Sequence, residues 1–174
     1  TILIDSGGTA DSTIQIGAYG SGPVPRVVTS DTAALIASGV EHVEIRDLSF
    51  SVKGSRPAAA MVLEDCKNVS LTNIVIDSAG GRGIYARDVD SLELRGSLID
   101  NCGLLAGEDT LDNISLIQCH DFSFAENIIR NFNGGNGIRV SGGKGQLRYN
   151  KLYNETTFDW GLHGIMVDKQ AEAL

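Results

Sequence analysis

A guanidinium, an imidazole and a phenol stand out among the side chains able to hold an anion or move a proton: Arg139, His163 and Tyr85. Arg139 lies between two long turn segments, where a fixed cation could meet an anionic group. His163 immediately precedes Gly164, so it either caps that turn or transfers a proton, its ring being the side chain best matched to neutral pH. Nearby, Trp160 offers a flat platform for stacking a sugar ring, or a plug for the edge of the fold, and Asp159 adds a carboxylate. Glu108, Asp109 and Asp112 read as a solvated face or as a Ca²⁺ site, since Ca²⁺ takes carboxylate oxygens. Glu64 and Arg87 read as a surface ion pair or as a catalytic pair. Asp168 with Asp112 or Asp159 would suit glycoside hydrolysis if the carboxyl groups stood roughly 5 to 9.5 Å apart.

The elements that position these residues follow from an internal repeat. Leu35, Met61, Ile84, Ile114, Ile138 and Ile165 fall into one column, with successive spacings of 26, 23, 30, 24 and 27 residues, and Ile2 opens an earlier, longer coil. Each leader starts a short alternating strand, such as Ile84/Ala86 or Ile138/Val140, whose in-pointing residues face a core. About eight residues later a second pair recurs: Val43/Ile45, Val69/Leu71, Leu92/Leu94 and Phe122/Phe124, with Gly145/Leu147 as a shortened version. A third core position follows at Phe50, Ile76, Ile99, Ile129 and Leu152.

Three short strands per coil, in coils of about two dozen residues, predict an all-β, right-handed parallel β-helix of about six coils stacked at ~4.8 Å. An antiparallel sandwich has no reason to repeat core positions at fixed offsets. Two residues before the third core position stand Ser97, Asn127 and Asn150, and the last two are placed to stack their amides across adjacent coils. Cys66 and Cys119 hold the same position two coils apart, ~9.6 Å, too far for a disulfide, and Cys102 falls on a loop. The first strand of each coil turns one row outward (Ile36, Val62, Tyr85, Ser115, Arg139, Met166) and then a second (Ser38, Glu64, Arg87, Ile117, Ser141, Asp168). The turns entering it, Asp77 to Gly83, Asp100 to Asn113, Arg130 to Gly137 and Asn154 to Gly164, stack along one edge as a groove wall. Arg139 and Tyr85 form the groove floor, with Arg87 and Asp168 alongside.

The 174 residues form one domain, residues 1–174, and the chain reads as part of a longer one because it starts and stops beside strands. Its formal charge of −8 argues against nucleic acid, which requires clustered cations. The same charge means that a polyanionic ligand needs a locally cationic groove or bridging Ca²⁺. No stretch is apolar for long enough to span a membrane. Three sequons, at Asn68, Asn113 and Asn154, are common by chance in a chain rich in Asn, Ser and Thr.

Ser6-Gly-Gly-Thr-Ala, Thr13-Ile-Gln-Ile-Gly-Ala-Tyr-Gly-Ser-Gly, Pro25-Arg-Val-Val28, Gly83-Ile-Tyr-Ala-Arg-Asp and Gly137-Ile-Arg-Val together resemble bacterial parallel β-helix repeat proteins. These are similar to pectate lyases, alginate lyases and mannuronan epimerases. The resemblance implies a secreted or extracellular protein acting on an acidic polysaccharide in a groove along the helix, by removal of the C-5 proton of a uronate. It would assign Arg139 to neutralising the substrate carboxylate and His163 or Tyr85 to proton transfer, with Ca²⁺ as a further neutralising cation. The Asp-Pro-His tract of the epimerases and the Lys and Arg pair of the lyases are absent. A non-catalytic β-helix serving carbohydrate binding or adhesion is the alternative.

Overall fold

The computed structural model describes residues 1–105, 111–155 and 163–168. Every described element is a strand, and every strand pairing is parallel. The leader column is real: Ile2 pairs with Leu35, Leu35 with Met61, Met61 with Ile84, Ile84 with Ile114, Ile114 with Ile138 and Ile138 with Ile165. The second ladder stacks Ile14, Val43, Val69 and Leu92 in register. The third stacks Val27, Phe50, Ile76, Ile99, Ile129 and Leu152. The chain is a parallel β-helix of about six coils, right-handed as parallel crossovers almost always are.

In the later coils the first two strands fuse, running unbroken through Ile114–Ala125 and Ile138–Arg148, so that two ladders join into one sheet while the third stays separate. The sequence predicts three separate strands there. The corner between the first two ladders keeps its left-handed residues at these coils, Gln118 with Asp121 and Gly142 with Gly143, while its backbone also pairs with the neighbouring coil.

The corners explain the abundance of Asp, Asn and Gly. Between the first and second ladders, Gly39, Asp65, Asp88, Gln118 and Gly142 all have positive φ. Between the second and third, the same is true of Asp47, Asn73, Gly96, Glu126 and Tyr149. The second corner carries one left-handed residue and the first carries two, His42, Asn68, Ser91, Asp121 and Gly143 being the second of each pair. Such residues turn the chain sharply, and Gly, Asn and Asp adopt that conformation at least cost. The interior is a continuous apolar stack from Ile4 to Val140.

Cys102 belongs to this stack. The sequence places it on a loop, but it ends the strand Leu98–Cys102, fully buried between Ala79 and Phe132. The third strand of each coil runs on to Ala79, Cys102 and Phe132, so the turns that follow start later than the sequence suggests. Asp100 and Arg130 are therefore strand neighbours, in an ion pair at 2.8 Å.

Candidate functional site

Stacking brings Tyr85, Ser115 and Arg139 side by side on three consecutive coils, on the outer face of the first ladder. Counting back two residues from each leader gives a second polar column: Arg82, Asp112, Asn136 and His163. Parts of the two columns border a cleft of about 170 Å³ whose lining includes Arg82, Asp112, Ser115, Arg139 and Ser141, whereas Tyr85 and His163 lie outside its lining. A larger, more open hollow of about 380 Å³ lies against Phe122 and Gly145, but its one cation, Lys144, already faces Asp121 at 3.5 Å. The smaller cleft concentrates the chemistry, because two guanidiniums border it.

Arg82 was not singled out by the sequence. Its guanidinium lies over the Tyr85 ring, 5.4 Å from the centroid, and its Nε donates to Ser115 Oγ at 2.9 Å. Both contacts restrict a flexible side chain and aim its remaining donors. The signal was available: Arg82 holds the same offset from Ile84 as His163 does from Ile165. Across the cleft, Arg139 Nε donates to Asp168 Oδ2 at 2.7 Å, with the arginine still about a third exposed. Asp168 thus orients the cation on the cleft floor.

Asp112 departs from its expected setting. It is fully buried, so the reading of a solvated acidic face fails for it. Its Oδ1 accepts from the Asn136 backbone N and from Asn136 Nδ2, both at 2.8 Å, and its Oδ2 accepts from Ser115 Oγ at 3.0 Å. A carboxylate so committed to protein donors has little capacity left for a metal, and the other two carboxylates of that set, Glu108 and Asp109, lie outside the described residues. Among the described residues there is no group of three or more His, Cys, Asp or Glu able to hold a metal ion.

His163 is exposed, and both its backbone N and its Nδ1 lie against Asn136 Oδ1, at 3.2 and 3.3 Å. Tyr85, Arg139 and Asp168 therefore share one face, and His163 joins it through Asn136 and Asp112. Arg87 makes an ion pair with Glu64 at 2.8 Å on the surface, one of its two expected readings. Glu108, Asp109, Asp159 and Trp160 lie outside the described residues. Of the sequons, Asn113 is buried with Nδ2 donating to the Arg130 carbonyl at 2.8 Å, which closes it to a glycan.

Residues 27–172 match the family described as right handed beta helix region, and the chain belongs to that family. No curated protein and no solved structure matches it.

Proposed function

We propose that the protein binds an acidic, uronate-containing polysaccharide along the outer face of the first ladder and removes the C-5 proton of a bound residue, as a lyase or a C-5 epimerase. The observation that carries this reading is the pair of guanidiniums, Arg82 and Arg139, bordering one small cleft in a chain whose net charge is −8. Asp112 in the lining and Asp168 on Arg139 offset that charge, so what the cleft offers a carboxylate is two guanidiniums able to make charge-assisted hydrogen bonds rather than a net positive field.

In this reading Arg139 and Arg82 receive the uronate carboxylate. Neutralising it makes the adjacent C-5 hydrogen more acidic, because the electron pair released from the C–H bond spreads into the carboxylate. His163 Nε2 takes the proton, and Tyr85 supplies one in return. In a lyase the C-5 electron pair forms the C4–C5 double bond as the C4–O bond breaks, and the departing oxygen leaves protonated. In an epimerase C-5 is reprotonated from the opposite face and no other bond breaks. The two arginines supply the positive charge, so no step is routed through Ca²⁺. Such polymers lie outside cells, and a secreted setting is part of the same proposal.

A second reading, a non-catalytic carbohydrate-binding scaffold, is favoured by the ion pairs Arg139–Asp168 and Arg87–Glu64, which already neutralise cations on this face. Incubation with polygalacturonate and alginate tests both readings. Absorbance from unsaturated uronate identifies a lyase, and uptake of solvent deuterium at C-5 identifies an epimerase. Binding that falls about tenfold or more in Arg139→Ala, without either signal, supports the scaffold. No binding to any acidic polymer overturns both.

A further inference from the structure

The column Arg82, Asp112, Asn136 and His163 is a single hydrogen-bonded chain, and the direction of every bond in it can be assigned. Asp112 accepts from Ser115 Oγ and from Asn136 Nδ2, while Ser115 Oγ itself accepts from Arg82 Nε. The orientation of the Asn136 amide follows from its neighbours: the carboxylate only accepts and the His163 backbone N–H only donates, so the amide nitrogen faces Asp112 and its oxygen faces His163. That oxygen is also 3.3 Å from His163 Nδ1. A carbonyl oxygen cannot donate, so the contact is a hydrogen bond only when Nδ1 carries the hydrogen.

We propose that Asn136 and Asp112 are positioning residues that hold neutral His163 in the Nδ1–H tautomer and so present the Nε2 lone pair as a proton acceptor. The inference rests on the reading of His163 as the group that takes the C-5 proton, and it names the residues that prepare it for that role. The burial of Asp112 matters here, since a carboxylate shielded from water holds the amide more firmly than an exposed one. The neighbouring Met166 Sδ, 3.5 Å from Asn136 Nδ2, is a weak acceptor and does not compete with the carboxylate. The same arrangement of a ring, an orienting group and an anchoring carboxylate governs how a histidine base is aimed in general.

The tautomer can be read without any polysaccharide. Long-range proton–nitrogen correlation spectra of ¹⁵N-histidine-labelled protein, at a pH where the rings are neutral, distinguish a protonated from an unprotonated ring nitrogen. The chain has only 3 histidines, and His163→Gln assigns the signal. The expected result is a protonated Nδ1 and an unprotonated Nε2 at His163, whereas a free histidine ring favours the reverse. In Asn136→Ala the pattern should revert to Nε2–H. Asp112→Ala should give a mixture, because the Asn136 amide then loses the acceptor that holds its nitrogen away from His163. A wild-type ring in the Nε2–H form overturns the proposal on its own, even if a variant fails to fold. An Nδ1–H pattern unchanged in both folded variants overturns it as well. Because no ligand is present, a failure here leaves the polysaccharide assays standing, and a failure of those assays leaves the tautomer result intact.

Discussion

At the scale of single residues, what a side chain can do here is set by what its register neighbours leave free. Asp112 looks in the sequence like one of three loop carboxylates, yet three protein donors occupy its two oxygens. Arg82 looks like a turn residue, yet its ring contact and its bond to Ser115 fix it beside the cleft. The cysteines show the same dependence. Burial pushes the thiols of Cys66, Cys102 and Cys119 above the ordinary value of 9.0, and at Cys102 the nearby Asp100 and Asp77 add to the effect. In the unfolded chain these thiols ionise near their ordinary value, while in the native chain they stay protonated. Their contribution to stability is therefore fully present below that value and lost progressively as pH rises from it toward the raised native values. The urea midpoint should fall from about pH 8 to about pH 10, and by less in Cys102→Ala than in the parent. Equal slopes in the two proteins would contradict the assignment.

At the scale of elements, the corner ladder is the clearest case of sequence specifying structure. Asn127 Oδ1 accepts from the Ser97 backbone N, and its Nδ2 donates to the Leu94 carbonyl and to Asn150 Oδ1, all at 2.9 Å. Asn150 Nδ2 donates in turn to the Phe124 carbonyl at 2.9 Å, and Ser97 Oγ continues the ladder to the Ile74 backbone N at 3.0 Å. Asn127→Ala would leave a buried backbone N–H and a buried carbonyl without partners. A loss of about 2 to 4 kcal/mol is expected, measured by urea denaturation. The leader column, the second and third core positions and this amide stack were all legible, because stacked coils force identical offsets to recur. The polar column was not legible by the same route. Arg82, Asp112, Asn136 and His163 precede the strands, differ in residue type and lie next to turns of varying length, so no alternation marks them. They become a column only once Ile84, Ile114, Ile138 and Ile165 are known to stack. Cys102 was misplaced for a related reason: the third strand of its coil runs further than the apolar pattern around Ile99 suggests.

At the scale of the whole molecule, the solenoid is a rigid ruler that repeats the first ladder every ~4.8 Å, and a linear polymer is a ligand that repeats along its own length. In the proposed reading, binding depends on which face of the ruler presents guanidiniums to the ligand, and Arg82 and Arg139 border one cleft on the face holding Tyr85, Ser115 and Arg139. The net charge of −8 works against any polyanion elsewhere on the surface, which makes the location of binding a sharp test. The most direct measurement is backbone amide shift mapping with short oligogalacturonate and oligomannuronate chains. The perturbed amides should cluster on the strands Ile84–Arg87, Ile114–Ala125 and Ile138–Arg148 near their first residues, and the cluster should vanish in Arg139→Ala. Perturbations centred on the third ladder, around Asp100 and Arg130, or none with either oligosaccharide, would contradict the account.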